Sequence, residues 1–226
     1  MRALALAGPL VAAMALPFGS GASPRAAHDS CRGVQDTIAL YGDVDGDGRP
    51  DAVYVVQTPD DRQCLVVRTG QRRLAVEYTS DDDSDTLQRL VWLGGRGLAI
   101  VAAKLHPYGM ATVVGVWKVD RARLAEVAIE NGPFPGFVYG RYCIGRCALE
   151  GVDCVAGGRP VTVDQTRATG ARPPFDVERT FFRLDGSRFR RTGHLKYVVA
   201  SREALAQFFP ELGRRPFLRC RTQASR

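Results

Sequence analysis

The chain has 226 residues, of which 45% are hydrophobic and 24% are charged, and its formal net charge is +7. These values are typical of a globular protein and exclude a wholly disordered chain, a collagen and a coiled coil. The chain is long enough to bury a core of its own, and its six cysteines are too few for a disulfide-dense miniature scaffold.

The N-terminal segment, residues 1–22, has the pattern of a secretory signal peptide. Arg2 supplies a short positive region, and an almost wholly apolar run follows at Leu4–Phe18. Small residues then lead up to Ala22, after which we expect cleavage. A membrane anchor is the disfavoured alternative, because two prolines interrupt a run shorter than the ~20 residues of a spanning helix. We therefore expect residues 23–226 to form a single secreted β-rich domain without a transmembrane segment.

The rest of the chain is predicted to be all-β, with mostly antiparallel strands. Segments rich in Val, Leu, Phe and Tyr alternate with Gly, Pro and Asp at a spacing typical of such proteins. The predicted strands are Ile38–Tyr41, Ala52–Gln57, Cys64–Arg68, Leu74–Tyr78, Leu87–Leu93, Leu98–Lys104, Thr112–Val119, Leu124–Ile129, Val161–Val163, Val177–Leu184, Arg188–Thr192 and Leu195–Ala200.

Two segments depart from this strand pattern. A short C-terminal helix is expected at Arg202–Phe209, because Ser201 can cap its start and Pro210 ends it. Residues 132–176 show little regular periodicity and contain three cysteines. We expect a disulfide-tied loop region there.

Residues 43–51 spell D-x-D-x-D-G-x-x-D, which is the most informative motif of the chain. Alternate carboxylates can turn inward when the chain wraps around a small cation, and the glycine permits the sharp turn after the third of them. Hard oxygen ligands in a flexible loop select Ca²⁺. The predicted ligands are the carboxylates of Asp43, Asp45, Asp47 and Asp51 and the carbonyl of Arg49. The alternative is an acidic, glycine-rich surface turn that holds no ion.

The flanks of this motif distinguish it from an EF-hand. An EF-hand needs a bidentate glutamate at the twelfth loop position, which is Tyr54 when counted from Asp43. Residues 38–41 and 52–56 are strand-like, whereas an EF-hand loop lies between helices. The sequence therefore predicts a strand–loop–strand calcium site, in which the ion has a structural role.

The stretch from Gly42 to Val55 resembles the calcium-binding loop of FG-GAP/VCBS-type repeats, the blade repeats of integrin α-chain propellers. The resemblance implies that the loop joins two adjacent strands and that the ion fastens their hairpin. We expect the β-rich domain to be propeller-blade-like or sandwich-like. The resemblance is local and covers one copy only, and a full propeller of such blades would need roughly twice the length of this chain. Such repeats occur in both adhesive and carbohydrate-related secreted proteins, so the resemblance leaves the function open.

The cysteines are predicted to form three disulfides, because their number is even and the chain is expected to be exported. A metal cluster at Cys143, Cys147 and Cys154 is the alternative, although no C-x2-C pair is present. Cys31 and Cys64 lie almost symmetrically about the calcium loop, so folding the chain there should bring them opposite each other and pair them. The other four would then pair among themselves.

No catalytic motif is recognisable in the sequence. If distant residues assemble an active site, His106 is the first candidate, since it lies in a predicted loop between two strong strands. His28 lies near the mature N-terminus and His194 precedes a strand. A second acidic cluster at residues 81–85 lacks the alternating pattern and is interpreted as a solvated turn, with a weak second ion site as the alternative.

Arginines are concentrated in the C-terminal part of the chain. For an exported protein, an anionic surface polymer or another extracellular protein is a nearer partner than nucleic acid, although the charges can also simply face solvent. Two functions remain: a non-catalytic, calcium-stabilised binding module at the cell surface or outside, or a secreted hydrolase on a β framework. A hydrolase requires a deep pocket joining His106 or His194 to carboxylates, and a binding module requires a shallow basic or aromatic face.

Overall fold

The computed structural model describes residues 31–222, except 61, 71, 79–86, 106–109, 121–122, 131–135, 145 and 158–159. The described residues form 14 strands and one short helix, and every strand pair but one is antiparallel. The predicted all-β class with one C-terminal helix is therefore confirmed. The predicted signal peptide lies outside the described residues.

The first sheet is a four-stranded antiparallel meander in which each strand pairs with the next along the chain. Its strands contribute alternate valines and leucines to a core on one face, because successive side chains of a strand point to opposite faces. The strands are β1 (Val34–Gly42), β2 (Asp51–Gln57), β3 (Gln63–Thr69) and β4 (Arg72–Tyr78).

The second sheet has ten strands, and the helix α1 (Arg202–Phe208) follows the last of them along the chain. The side chain of Ser201 accepts a hydrogen bond from the Ala204 N–H at 3.1 Å and caps α1 as predicted. The ten strands are β5 (Leu87–Val91), β6 (Ala99–Leu105), β7 (Met110–Asp120), β8 (Arg123–Glu126), β9 (Ala128–Ile129), β10 (Phe137–Ile144), β11 (Arg146–Cys154), β12 (Thr162–Thr169), β13 (Phe175–Asp185) and β14 (Arg188–Val199).

The second sheet curls back on the long strand β7. Val114 pairs with β6 on one side and β10 on the other, and Trp117 pairs with β6 and β8. The same edge of β7 therefore holds β10 along its first half and β8 along its second. The sheet runs from β10 to β14, and β14 pairs in parallel with β9 at Phe189. Strand β9 directly follows β8 in the chain, and β8 pairs with β7. The succession of neighbouring strands therefore leads back to β7.

Strand β6 is buried on both faces and separates two cores. Val101 faces the interior of the curled sheet, while Ile100 faces the meander β1–β4. The interior of the curl is rich in phenylalanine, and Phe137 meets three other rings edge-on. The centroid distances are 5.0, 5.5 and 5.6 Å to Phe189, Phe182 and Phe217, respectively. The molecule is thus layered: the meander, the β5–β8 portion of the second sheet, and the curl.

The prediction of an irregular loop region at residues 132–176 is wrong, because β10, β11 and β12 lie there. These strands bury Glu150, Asp153, Asp164 and Thr166, whose polar groups are satisfied by side-chain and backbone partners in the fold. Polar residues at interior positions erase the alternation on which strand recognition depends. Two smaller corrections concern the predicted strand at Leu124–Ile129, which divides into β8 and β9, and the last two predicted strands, which are one strand, β14.

The cysteines form three disulfides, as predicted, and the alternative of a metal cluster is wrong because all six are paired. Cys31 pairs with Cys64 at a Cα–Cα distance of 5.6 Å. The geometry differs from the prediction, since Cys64 lies on β3 and pairs across the sheet with Val56 of β2. The other bonds are Cys143–Cys147, within the β10–β11 hairpin, and Cys154–Cys220.

Candidate metal centre

The predicted calcium loop connects two adjacent antiparallel strands. Strand β1 ends at Gly42, β2 begins at Asp51, and these two residues are register partners. The connection between them contains two glycines, Gly46 and Gly48, whose φ angles are +81° and +86°. Side chains other than glycine adopt this left-handed region only at a cost, so the glycines allow the loop to coil tightly.

Three of the predicted ligands come together. Oxygen atoms of Asp43, Asp45 and Asp51 lie within 4.8 Å of one another. Asp47 lies outside this group, and its exposed carboxylate accepts a hydrogen bond from the Arg49 N–H at 2.7 Å. Three carboxylates from a single short loop are therefore already gathered around one point.

Backbone N–H groups orient these carboxylates. Asp43 accepts hydrogen bonds from the N–H groups of Gly46 and Gly48, at 2.7 and 2.9 Å. Asp45 accepts one from the Asp47 N–H at 3.0 Å. A short polar side chain that bonds the backbone a few residues ahead stabilises a turn, which is why Asp suits these positions. The same contacts hold the carboxylates in place.

Asp51 is the buried member of the group, with 2% of its surface exposed. Its Oδ2 accepts hydrogen bonds from the N–H groups of Val44 at 2.9 Å and Asp45 at 3.3 Å. Burial raises the pKa of Asp51, and the nearby charges of Asp45 and Asp47 raise it further, while the two backbone hydrogen bonds oppose the shift. The site therefore concentrates negative charge in partly dehydrated surroundings.

The loop is anchored to the second sheet through the turn between β5 and β6. The Asp43 carbonyl accepts a hydrogen bond from the Leu98 N–H at 2.8 Å, and the fully buried Val44 packs in the core between the two sheets. Gly97 lies so close to the Val44 carbonyl that a Cβ atom there would overlap it. Sequence reasoning missed this partner, although the run Gly94-Gly95-Arg96-Gly97 indicates a tight turn.

Asp45 also faces solvent, in a cleft of about 930 Å³ that Arg96 and Lys118 help to line. Burial lowers the pKa of Lys118, whose Nζ donates a hydrogen bond to the Gly94 carbonyl at 3.0 Å. No salt bridge joins Asp43, Asp45 or Asp51 to a cationic side chain within the described ranges. Oxygen donors without a cationic partner fit a hard divalent cation.

The other candidate residues do not assemble a site among the described residues. His194 is exposed on β14, with its Nδ1 3.1 Å from Thr180 Oγ1, and it lines neither the cleft at Asp45 nor the cavity beside α1. His28, His106 and the acidic cluster at residues 81–85 lie outside the described residues.

Comparisons with known proteins give no relatives for this chain. No family model matches the sequence, and neither the curated proteins nor the solved structures contain a significant match. The described part of the chain contains no helix whose length and hydropathy would let it span a membrane.

Proposed function

We propose that the loop at residues 43–51 binds a structural Ca²⁺ ion in a secreted, non-catalytic binding module. Asp43, Asp45 and Asp51 supply the first carboxylate ligands in this proposal, and Asp47 with the Arg49 carbonyl completes the shell. The observation that supports it is the convergence of three carboxylates to which no cationic side chain of the described residues forms a salt bridge. Secretion is supported by the three disulfides, which are compatible with an extracellular location.

The meander β1–β4 supports the resemblance to FG-GAP/VCBS-type repeats. A propeller blade is a four-stranded antiparallel sheet, and this meander has that form, with the acidic loop between its first two strands. An ion here would stabilise the hairpin and, through Val44 and the Leu98 N–H, the contact between the two sheets. Its role is therefore proposed to be structural.

The calcium proposal is tested by thermal unfolding in millimolar Ca²⁺ and in chelator. Calcium should stabilise the protein by about 2.7 kcal/mol at a free concentration 100 times the dissociation constant. Extracellular calcium modules often bind in the range of about 10⁻⁴–10⁻³ M, so the titration must extend to millimolar concentrations. The double substitution Asp45→Ala with Asp47→Ala should abolish the stabilisation.

The matched control is Asp176→Asn, which removes an exposed carboxylate on β13 far along the chain from the loop. This variant should keep the full response to calcium. If calcium and chelator give the same unfolding temperature for the unaltered protein, the loop is a surface turn and the proposal is wrong.

The binding role is supported by the outer face of β14. Arg188 and Arg190 are exposed and Phe189 between them is fully buried, which is the arrangement that strand alternation predicts. Farther along the strand, Leu195 and Tyr197 are exposed by 46% and 39%. The strand is thus a shallow basic and apolar surface, which suits an extended anionic polymer better than a small substrate.

Binding to dextran sulfate, compared with neutral dextran, tests this second part of the proposal. Binding should weaken steeply with added salt, because it depends on exposed charges. Arg188→Gln with Arg190→Gln should reduce it about tenfold, whereas Arg72→Gln, a control on the meander, should not. Equal binding to both dextrans would contradict an anionic partner, and binding to neither would instead favour a protein partner.

A further inference from the structure

A cavity of about 420 Å³ lies between α1 and the strands β11 and β12. Its walls are mainly apolar: Ala168 and Phe175 come from the sheet, and Leu205 and Phe209 from the helical side. These four residues also belong to the hydrophobic cluster that packs α1 on the sheet. The walls are therefore held by the same contacts that fix the helix, and the cavity is part of the folded framework.

Three arginines from separate segments surround this cavity. Arg141 lies on β10, Arg202 begins α1, and Arg214 lies in the turn after the helix, and all three are exposed. A terminal nitrogen of Arg202 is 3.5 Å from the Ala171 carbonyl, and no described carboxylate forms an ion pair with Arg141 or Arg214. No acidic side chain is among the described residues that line the cavity.

We propose that this cavity binds a small single-chain amphiphile that has an anionic head group. Apolar walls bury the hydrocarbon chain, whose transfer from water is the main favourable contribution. The guanidinium groups at the rim, of which those of Arg141 and Arg214 form no ion pair with a described carboxylate, complement a carboxylate or phosphate head, for which planar, always-charged arginine is well suited. The volume lies in the lower part of the range of about 300–1,000 Å³ in which proteins bind small molecules.

This inference is independent of the calcium proposal. None of the residues that line the cavity belongs to the loop at residues 43–51 or to the meander β1–β4. A failure of calcium to bind therefore leaves the amphiphile site untouched, and the reverse is also true. The two experiments use different ligands and different variants.

Calorimetric titration with three probes of equal chain length tests the inference at neutral pH. The probes are decanoate, decanol and decyltrimethylammonium, whose head groups are anionic, neutral and cationic, respectively. Decanoate should bind at least about tenfold more tightly than decanol, and the cation should bind weakest. Decyl phosphate in place of decanoate then distinguishes a phosphate head from a carboxylate. Equal affinity for decanoate and the cation would overturn the charge argument.

Two pairs of variants locate the binding site. Ala206→Trp fills the cavity from the exposed side of α1, and its control Gln207→Trp adds the same side chain at the next exposed position, which does not line the cavity. Arg214→Gln removes one rim charge, and its control Arg215→Gln removes the adjacent exposed charge.

Decanoate binding should be lost in Ala206→Trp, weakened about three- to tenfold in Arg214→Gln and unchanged in both controls. Thermal unfolding of each variant establishes that it is folded. If decanoate binds Ala206→Trp and Gln207→Trp equally, or Arg214→Gln and Arg215→Gln equally, it does not occupy this cavity and the proposal is wrong.

Discussion

Two groups of three carboxylates in this protein have opposite charge environments. One is the loop group of Asp43, Asp45 and Asp51 described above. The other, which we name the C-terminal cluster, consists of Asp153, Asp164 and Glu211, exposed by 2%, 1% and 2%, with the arginines Arg179 and Arg219. The first group has no cationic side chain bonded to it within the described residues, and the second has two.

The carboxylates of the C-terminal cluster are satisfied internally. Arg219 donates to Asp153 Oδ2 at 3.1 Å and to Glu211 Oε2 at 3.0 Å, and Arg179 forms an ion pair with Asp164. Its contacts join β11, β12 and β13 to the segment after α1. Buried charges are tolerated when they are paired and hydrogen-bonded, so this cluster needs no further ligand.

The difference shows that the number of gathered carboxylates does not by itself indicate an ion site. What distinguishes the groups is the counter-charge: described arginines supply it to the C-terminal cluster, whereas no described cationic side chain forms an ion pair with the loop carboxylates. If this interpretation is right, substitutions that remove an arginine of the C-terminal cluster should lower the stability of the protein. The stability contributed by the loop should instead depend on calcium.

The largest effect is expected from the disulfide beside the C-terminal cluster. Cys154 and Cys220 are 66 residues apart in sequence, whereas Cys143 and Cys147 are 4 apart. In the chain-entropy account, Cys154→Ala with Cys220→Ala should cost about 4 kcal/mol, and Cys143→Ala with Cys147→Ala about 2 kcal/mol. Urea unfolding measures both. Equal losses of stability would show that the length of the loop closed by each disulfide does not determine how much that disulfide stabilises the protein.

Removing an internal counter-charge should be the next largest effect. Arg179→Met leaves Asp164 buried without its cation and should lower the free energy of unfolding by about 3 kcal/mol near neutral pH. The control Arg183→Met lies on the same strand and is exposed, so it should change stability by less than about 0.5 kcal/mol. Similar values for the two variants would contradict the assigned role of Arg179.

Glu150 is an intermediate case and gives a pH-dependent prediction. It accepts hydrogen bonds from Tyr142 and Gln165, while Arg167 Nε is 3.5 Å away and largely in solvent. Burial raises the pKa of Glu150 above its ordinary value of 4.5, although the hydrogen bonds from Tyr142 and Gln165 and the charge of Arg167 oppose the shift.

The folded state binds the Glu150 proton more tightly than the unfolded state does. The stability that protonation of Glu150 contributes is therefore fully present below pH 4.5 and is lost as pH rises through the folded pKa. The stability of the unaltered protein relative to Glu150→Gln should therefore increase on acidification between these pKa values, by at most about 1.4 kcal/mol per pH unit. Urea unfolding of both proteins over this range measures it. A relative stability that falls on acidification has the wrong sign for a raised pKa.

The smallest effect, and the sharpest contrast, is expected for Asp45→Asn in chelator. The substitution keeps an oxygen that can accept the Asp47 N–H bond and removes one of three like charges. Without calcium it should raise stability by about 0.5–1 kcal/mol, since charges near 4 Å repel by about 1 kcal/mol in water. In the presence of calcium, Asp45→Asn should lower the stability relative to the unaltered protein. A loss of stability in chelator would mean that the loop carboxylates do not repel one another.

The strands that were predicted from sequence are runs rich in Val, Leu, Phe and Tyr, most of them separated by Gly, Pro or Asp. The meander β1–β4, the pair β6–β7 and the hairpin β13–β14 were all recognised in this way, and the cap of α1 was identified from Ser201. Strands β10 and β11 were missed, and only the start of β12 was predicted, at Val161–Val163, because their interior positions include acids and threonine whose partners lie on distant elements. Arg219, for example, is 66 residues from Asp153.

The candidate ion site was predicted in its residue types and in its strand flanks, but not in its surroundings. The spacing of aspartates and glycines is local, and it determines that Asp43 and Asp45 turn toward one point. The spacing does not reveal that Val44 enters the core, or that the Asp43 carbonyl bonds the Leu98 N–H. The cavity beside α1 could likewise not be predicted from the sequence, since its rim arginines come from β10, the start of α1 and the turn beyond it.

The sequence by itself determined the all-β class, the acidic loop and the cysteine count, because each depends on residues that are close along the chain or on composition. Tertiary structure alone decided the curl of the second sheet onto β7, the placement of Cys64 on β3 and which carboxylates receive an arginine. These features join residues that are far apart in sequence. Their energies come from burial and from charge pairing across elements, and a local pattern contains no information about which distant element will be the partner.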